Sequence, residues 1–311
     1  MKHIVIGGAG FIGSHIAEYL VKSGQKVVVI DNLSTGNIDN LNEFKEKLSF
    51  VQGDILDFEL LISNIEQDDI IYHQAALPSV SRSVKDPMAT NENNIKGTLN
   101  VLLAAKQKKA NRVIFASSSS VYGDSVTLPK IETMPTNPKS PYALSKLTAE
   151  YYLKLFYELY GLKTISLRYF NVFGPRQDPN SEYSAVIPKF IKLLLKNNSP
   201  TIYGDGEQTR DFTYVKNVVK ANILASKTQT GFGEVMNIAC NKRLSLNTLV
   251  IMLKKLLGKN IEHNYAQERP GDVKHSLADI SKAEQILKYT PDIDFEQGLN
   301  LTINYMKDKG D

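Results

Sequence analysis

Near its N-terminus the chain runs from His3-Ile-Val-Ile6 straight into Gly7-Gly-Ala-Gly10-Phe-Ile-Gly13, an apolar strand that gives way to a glycine turn and then a helical pattern. Few folds accept that order. Glycines at these spacings permit a tight turn and let backbone N–H groups approach an anion closely, and the following helix aims the positive end of its dipole at the same spot. Both Gly-x-x-Gly-x-x-Gly and Gly-x-Gly-x-x-Gly can be read here. The next β-branched run, Val27-Val-Val-Ile30, ends in Asp31, eighteen residues after Gly13. A carboxylate there can hold both ribose hydroxyls and repel a 2′-phosphate, so the pattern predicts NAD rather than NADP.

The rest of the first half repeats the alternation. Short apolar runs at residues 3–6, 26–30, 48–52, 70–73, 112–116 and 163–167 are separated by helical patterns that include 11–23, 88–107 and 141–160. Near-continuous β-branched runs mark strands covered on both faces, and strands separated by helices imply right-handed βαβ units. The expected fold class is α/β, a doubly wound parallel sheet. After about residue 180 the rhythm changes: helical patterns at 185–195, 244–257, 280–287 and 295–306 enclose short strand-like pieces. Gly-Asp turns at 204–206 and 271–272 predict loops along a cleft. The expectation is a nucleotide-binding part over 1–180 and a smaller mixed α/β lobe over 181–311. That boundary is approximate, with some later segments returning to the first part.

Composition narrows the class of partner. A net charge of +4 over 311 residues, with no basic block, argues against nucleic acid. No apolar run reaches the roughly 20 residues needed to span a bilayer. The single cysteine, Cys240, forbids an internal disulfide and fits a reducing compartment. The strand pattern starts within the first few residues and leaves no room for a signal peptide. A cytoplasmic protein is expected. The five histidines fall at no metal-ligand spacing and there is no cysteine cluster, so no metal is implied.

The chemistry is carried by Ser140-Pro-Tyr142-Ala-Leu-Ser-Lys146. Ser140 suits an N-cap, Pro141 suits the first helical position, and Gly161 can stop the run about five turns on. In such a helix Tyr142 and Lys146, four residues apart, share a face. An ammonium beside a phenol stabilises the phenolate, and a tyrosine so tuned can take a proton from a sugar or alcohol hydroxyl near neutral pH. Ser117-Ser-Ser-Ser120 follows the run at 112–116, at the carboxyl end of a parallel strand, where open α/β sheets bind ligands. Serines there can bond a substrate oxygen and pass a proton towards Tyr142; such a run also serves as a turn that bonds its own backbone. Asp54-Ile55, after the third strand, either contacts adenine or is a plain strand end. Together the glycine turn and the Tyr–Lys pair predict an enzyme that oxidises an alcohol with a nicotinamide nucleotide.

On these residues the chain resembles the extended short-chain dehydrogenase/reductase family over essentially its full length, and is most similar to the nucleotide-sugar 4-epimerases. The family's Gly-x-x-Gly-x-x-Gly is Gly7, Gly10 and Gly13, and the resemblance implies Phe11, Ile12, Asp31, Asn32, Asp54 and Ile55 around the nucleotide. His73-Gln-Ala-Ala76 matches the segment under the cofactor phosphates, through Ala75 and Ala76, and Asn94 matches an asparagine on the next helix. The catalytic serine position falls on Ser118, with Ser119 close enough to share the role, and the Tyr-x-x-x-Lys pair is Tyr142 and Lys146. Arg168-Tyr-Phe-Asn-Val-Phe-Gly174 resembles the segment beside the nicotinamide and sugar, which implies Tyr169 at the cofactor and Asn171 on the diphosphate. Gly204-Asp-Gly-Glu-Gln-Thr-Arg210 and Arg269-Pro-Gly-Asp272 resemble the uridine-diphosphate clamp, through Arg210, Arg269 and Asp272, and Val186 and Tyr203 are implied as further substrate contacts. Arginine suits that work because a planar guanidinium pairs two phosphate oxygens at once.

What the resemblance implies is a UDP-hexose 4-epimerase with tightly bound NAD, working through a 4-keto intermediate. The related dehydratases usually carry Thr-Asp-Glu before the segment that is Val121-Tyr122 here; this chain has Ser118-Ser119-Ser120, without either carboxyl, and also lacks the glutamate of the decarboxylases. Ser276 falls where enzymes confined to glucose and galactose tend to carry a bulky tyrosine. A serine leaves room for an N-acetyl group, which implies UDP-N-acetylglucosamine and UDP-N-acetylgalactosamine beside the plain UDP-hexoses. The serine run also occurs in UDP-glucuronate 4-epimerases. That substrate, a dehydratase on the same scaffold and a non-catalytic nucleotide-binding protein stay as alternatives. The related enzymes are homodimers in which the helices at 88–107 and 141–160 form a four-helix bundle across a twofold axis. Here both carry apolar residues on more than one face, including Leu99, Leu102, Leu103, Leu147, Tyr151 and Leu155; burial of the second face under the other lobe is the competing arrangement. Asp31 makes the cofactor choice testable. The protein as purified should release NAD on denaturation, seen by chromatography, and mainly NADP would overturn the assignment.

Overall fold

The computed structural model describes residues 1–179, 186–268 and 274–310; Arg269 and Asp272 lie outside them. Seven strands make one sheet: β1 (His3–Ile6), β2 (Val27–Asp31), β3 (Ser49–Gln52), β4 (Ile70–His73), β5 (Arg112–Ser118), β6 (Lys163–Tyr169) and β7 (Glu234–Ile238). All neighbours are parallel, in the order β7-β6-β5-β4-β1-β2-β3. The alternation of Cβ atoms explains the β-branched runs. Val5, Val27 and Val29 enter the apolar core on one face, while Ile4, Ile6, Val28 and Ile30 enter the core on the other. This is the expected doubly wound Rossmann architecture. The strand order reverses between β1 and β4, and ligands of such sheets bind outside the carboxyl ends at that point.

Helices α1 (Phe11–Lys22), α2 (Phe58–Asn64), α3 (Val80–Lys85), α4 (Pro87–Asn91), α5 (Gly97–Gln107) and α6 (Pro141–Tyr160) belong to the crossovers. The twenty-residue α6 forms as its sequence dictates. Ser140 Oγ accepts from Ala143 N at 3.1 Å, Pro141 stands in the first turn, and Gly161 ends the helix in the left-handed region at φ +70°. The single helix expected over 88–107 is instead α4, a π-helical turn at Glu92–Lys96, and α5. A wider turn of this kind re-aims side chains inside a helix and is common at functional sites.

The later helices are α7 (Val186–Leu195), α8 (Val215–Lys227), α9 (Leu246–Leu257), α10 (Ser281–Leu287) and α11 (Phe295–Lys309). A third apolar core gathers Ile187, Ile191, Leu249, Leu253, Leu299 and Ile303, with Phe173 and Tyr214. By contrast, α8, β7 and α10 contribute Val218, Ile223, Met236 and Ala283 to the first core. We propose the division near residue 180 as a functional one, the third core carrying the lobe that holds substrate. Among the described residues no helix is long and apolar enough to cross a membrane.

Candidate active site

The carboxyl ends of the central strands open on a cleft of about 1170 Å³. Gly7, Gly10, Phe11, Ile12, Gly13, Asp31, Asn32, Ile55, Ala75, Ala76, Tyr142, Lys146 and Tyr169 all line it. The glycines are required by contact: a Cβ on Gly13 would stand 2.1 Å from the carbonyl oxygen of Gly7. No side chain caps the start of α1, so its first N–H groups point at the cleft without a local acceptor. The Asp31 carboxylate accepts from Ala9 N (2.9 Å) and Leu33 N (2.8 Å), which pins the glycine turn to the end of β2.

The serine, tyrosine and lysine meet at the end of β5. Ser118 stands beside the Tyr142 phenol, and its hydroxyl accepts from Ser120 N (3.2 Å) and Ser120 Oγ (2.9 Å). The reading of the run as a turn that bonds its own backbone is what these bonds show. Ser119 opens the short turn Ser119–Tyr122. Lys146 is 3% exposed; its Nζ donates to Ala116 O at 2.8 Å and lies 5.9 Å from the Tyr142 ring centroid. The expected lowering of the phenol's pKa is absent in the chain alone. Burial raises Tyr142, and Ser118 only partly opposes it. Burial also lowers Lys146 to about 7, with the Glu150 carboxylate pulling it back up. In the chain alone burial thus favours the neutral form of both groups.

Two predicted cofactor residues work from behind the wall. Asn94, buried on the π-helical turn, accepts from Leu77 N (2.8 Å), donates to Leu77 O (3.2 Å), and donates to Ser145 Oγ (3.0 Å) on α6. Asp54 accepts from Asn32 Nδ2 at 2.6 Å and from Leu56 N at 2.9 Å. The Thr98 hydroxyl spends its proton on Asn94 O (2.6 Å), so at 2.9 Å it accepts from His73 Nε2–H. Burial and the nearby Lys146 lower His73 to about 3, which keeps it neutral.

Just beyond β6, Asn171, at φ +35°, donates through Nδ2 to Ser276 Oγ (2.9 Å) and to Asp211 O (3.2 Å). Backbone so strained persists only where its surroundings hold it, a habit of functional sites. Ser276 is buried, and its Oγ also accepts from Asp211 N at 3.3 Å. The Asp211 carboxylate is fully buried and accepts from Cys240 N (3.0 Å) and Ala278 N (3.2 Å). Arg210 Nη1 donates to Thr209 O (3.0 Å) and Lys274 O (3.2 Å). Val186 begins α7, and Tyr203 ends the short strand Thr201–Tyr203. Gln74, Arg82, Arg176 and Gln177 also stand on the cleft wall; Gln74 lies in the matched segment His73–Ala76, and none of the four was expected as a site residue. Arg176 donates through Nη2 to Glu18 at 2.7 Å, while its buried Nη1 has no partner among the described residues. Its signal was weak, a lone cation after Gly174-Pro175.

Known proteins carry the same architecture. The family profile described as GDP-mannose 4,6 dehydratase matches residues 4–302. The putative UDP-glucose 4-epimerase of Methanocaldococcus jannaschii is 43% identical over 98% of this chain and 98% of its own length. The UDP-N-acetylglucosamine 4-epimerase from Methanobrevibacter ruminantium, solved with UDP-N-acetylmuramic acid, is 46% identical at a TM-score of 0.95, covering 99% of this chain and 98% of that one. The UDP-glucuronic acid 4-epimerase from Bacillus cereus, solved with UDP-glucuronic acid and NAD, is 36% identical at a TM-score of 0.90, over 99% and 100%. With the glycine cradle, the acid at the end of β2 and the Tyr142–Lys146 pair in one cleft, the chain belongs to the GDP-mannose 4,6 dehydratase type of the extended short-chain dehydrogenase/reductase family.

Proposed function

We propose that the chain is an NAD-dependent UDP-hexose 4-epimerase that interconverts UDP-N-acetylglucosamine and UDP-N-acetylgalactosamine and also accepts UDP-glucose and UDP-galactose. The observation that carries this is a serine run with no carboxylate, its Ser118 beside the Tyr142 phenol and Lys146 on the same helix face. Without an acid and a base to eliminate water, the site is left with oxidation and reduction at one carbon. The cleft residues fit NAD. A side chain on Gly13 would strike backbone, the uncapped start of α1 suits a pyrophosphate, and Asp31 stands at the wall to take ribose hydroxyls. The chemistry that NAD supplies when bound is acceptance of the C4 hydride and its return to the opposite face. Tyr142 takes the proton of the sugar 4-hydroxyl, Ser118 bonds the same oxygen, and Lys146 holds positive charge beside the phenol. Asn171, Arg210, Arg269 and Asp272 grip the UDP while the sugar turns, so binding energy far from the reacting carbon secures an intermediate held loosely.

A purified sample given UDP-glucose, UDP-N-acetylglucosamine and UDP-glucuronate separately tests the assignment. The 4-epimer should appear without net NADH; a 4-keto product or accumulating NADH would point to a dehydratase or dehydrogenase. UDP-glucuronate is the second candidate, supported by the Bacillus cereus relative. Tyr142→Phe should cost several orders of magnitude in turnover and keep NAD. More than about a tenth of the activity, under 1.4 kcal/mol of barrier, would mean another base.

Ser276 carries the preference for acetylated sugars. A tyrosine in its place would fill the space that the acetamido group takes beside C2. Ser276→Tyr is expected to abolish turnover of UDP-N-acetylglucosamine and spare UDP-glucose. An unchanged ratio of the two kcat/KM values would remove Ser276 from the specificity of the pocket.

The outer faces of α5 and α6 support assembly as a homodimer through a four-helix bundle. Tyr151 and Leu155 are 59% and 45% exposed, and Leu103 is 39% exposed, an apolar stripe that an isologous contact would cover. Light scattering at micromolar concentration should give twice the chain mass; a monomer would rule out a stable pair.

A further inference from the structure

Behind the lysine lies a charged group that the proposed reaction does not use. Glu150 is 4% exposed and sits on α6 one turn after Lys146 and two after Tyr142. Its Oε1 accepts from the Ser117 hydroxyl and from Arg168 Nε (2.9 Å), and its Oε2 accepts from Arg168 Nη2 (2.7 Å). Arg168, on β6, is equally buried and stacks over the Tyr122 ring at 4.7 Å. A buried pair of this kind is weak evidence for stability, since desolvation consumes much of its attraction. Its placement says more. Ser117 is the neighbour of Ser118, and the carbonyl of Ala116, one residue earlier, accepts a hydrogen bond from Lys146 Nζ. One carboxylate thus ties the strand that carries the serine to the helix that carries the tyrosine and lysine.

We propose that Glu150 is a positioning residue of the active site: clamped by Arg168, it fixes β5 against α6 so that Ser118 meets Tyr142, and it supplies the counter-charge of the Lys146 ammonium. The charged and titratable groups around that ammonium are His73 from β4, Tyr142 and Glu150 from its own helix, Arg168 and Tyr169 from β6, and Tyr122 after β5. His73 is neutral, the three phenols are protonated, and Arg168 repels. Among them Glu150 is the group that attracts the ammonium. Removing its charge makes Lys146 give up its proton at lower pH, so activity that needs the ammonium fails earlier on the alkaline side.

This inference rests on the epimerase proposal, and its test separates the two. The titration of Lys146 is read directly by nuclear magnetic resonance of isotope-labelled lysines, with Lys146→Met to assign the signal, and kcat/KM is followed against pH. In Glu150→Gln the lysine midpoint should fall by about one pH unit or more, a tenfold loss of proton affinity, and the alkaline limb of kcat/KM should move down with it. An unmoved midpoint, with activity lowered equally at every pH, overturns the proposal and leaves Glu150 a packing residue. Should the stranded Arg168 prevent Glu150→Gln from folding, Glu150→Gln with Arg168→Met removes both charges. That variant should show a smaller fall in the same direction, and a native midpoint in it would equally overturn the proposal. If the native protein turns over none of the three UDP-sugars, the epimerase proposal fails while the lysine titration still judges Glu150.

Discussion

The structure depends on the place where β1 hands over to α1, close enough that the Gly7 carbonyl leaves no space for a side chain on Gly13. That approach brings the free N–H groups of α1 to the point where the strand order reverses. It also makes α1 a member of two cores. Ile16, Ala17 and Leu20 pack into the sheet's core, while Phe11 and Ile12 pack against the third core. Further along, His15 bonds Pro175 O at 2.9 Å and Glu18 holds Arg176. One helix thus places the phosphate cradle and anchors the loop that closes the far side of the cleft.

At the other end of the cleft the governing fact is an excess of buried positive charge. Lys146 and Arg168 are both buried, and Glu150 balances one of them. A neutral tyrosine leaves that set positive, whereas an ionised one makes it neutral. In the chain alone burial still wins, holding the phenol up and the lysine down. The site is poised so that a modest added attraction decides which group holds the proton.

Much of this was legible in the sequence because it is local. The Ser140 cap, Pro141, the Gly161 stop and the Tyr142–Lys146 spacing each act within a few turns, and α6 forms as they dictate. The β-branched runs became strands covered on both faces. What escaped notice is nonlocal. Helix α8 starts after Tyr214, which offers no side-chain cap, and it buries Asn217 and Asn222, so its pattern hides its amphipathicity. Those asparagines are satisfied by partners far along the chain, Ile293 and Tyr169. Strand β7 carries a glutamate and a buried Asn237, whose bonds to Lys130 and Tyr122 no periodicity announces. Asn94 was found by resemblance, yet its bonds to Leu77 and Ser145 follow from a π-helical turn invisible in composition.

The knot beneath Asn171 adds a dependence on acidity. Burial lifts the Asp211 carboxyl from 3.8 to about 6, against the backbone N–H groups that bond it. The folded chain therefore keeps a proton there up to about pH 6, whereas an unfolded chain releases it near 3.8. Between those values the native state binds more protons, so stability contributed at this position falls as pH rises through the window. At neutral pH the ionised carboxylate opposes folding, and the amides of Cys240 and Ala278 offset part of that cost. The stability contributed by the knot beneath Asn171 is thus full below about pH 3.8 and lost by about pH 6.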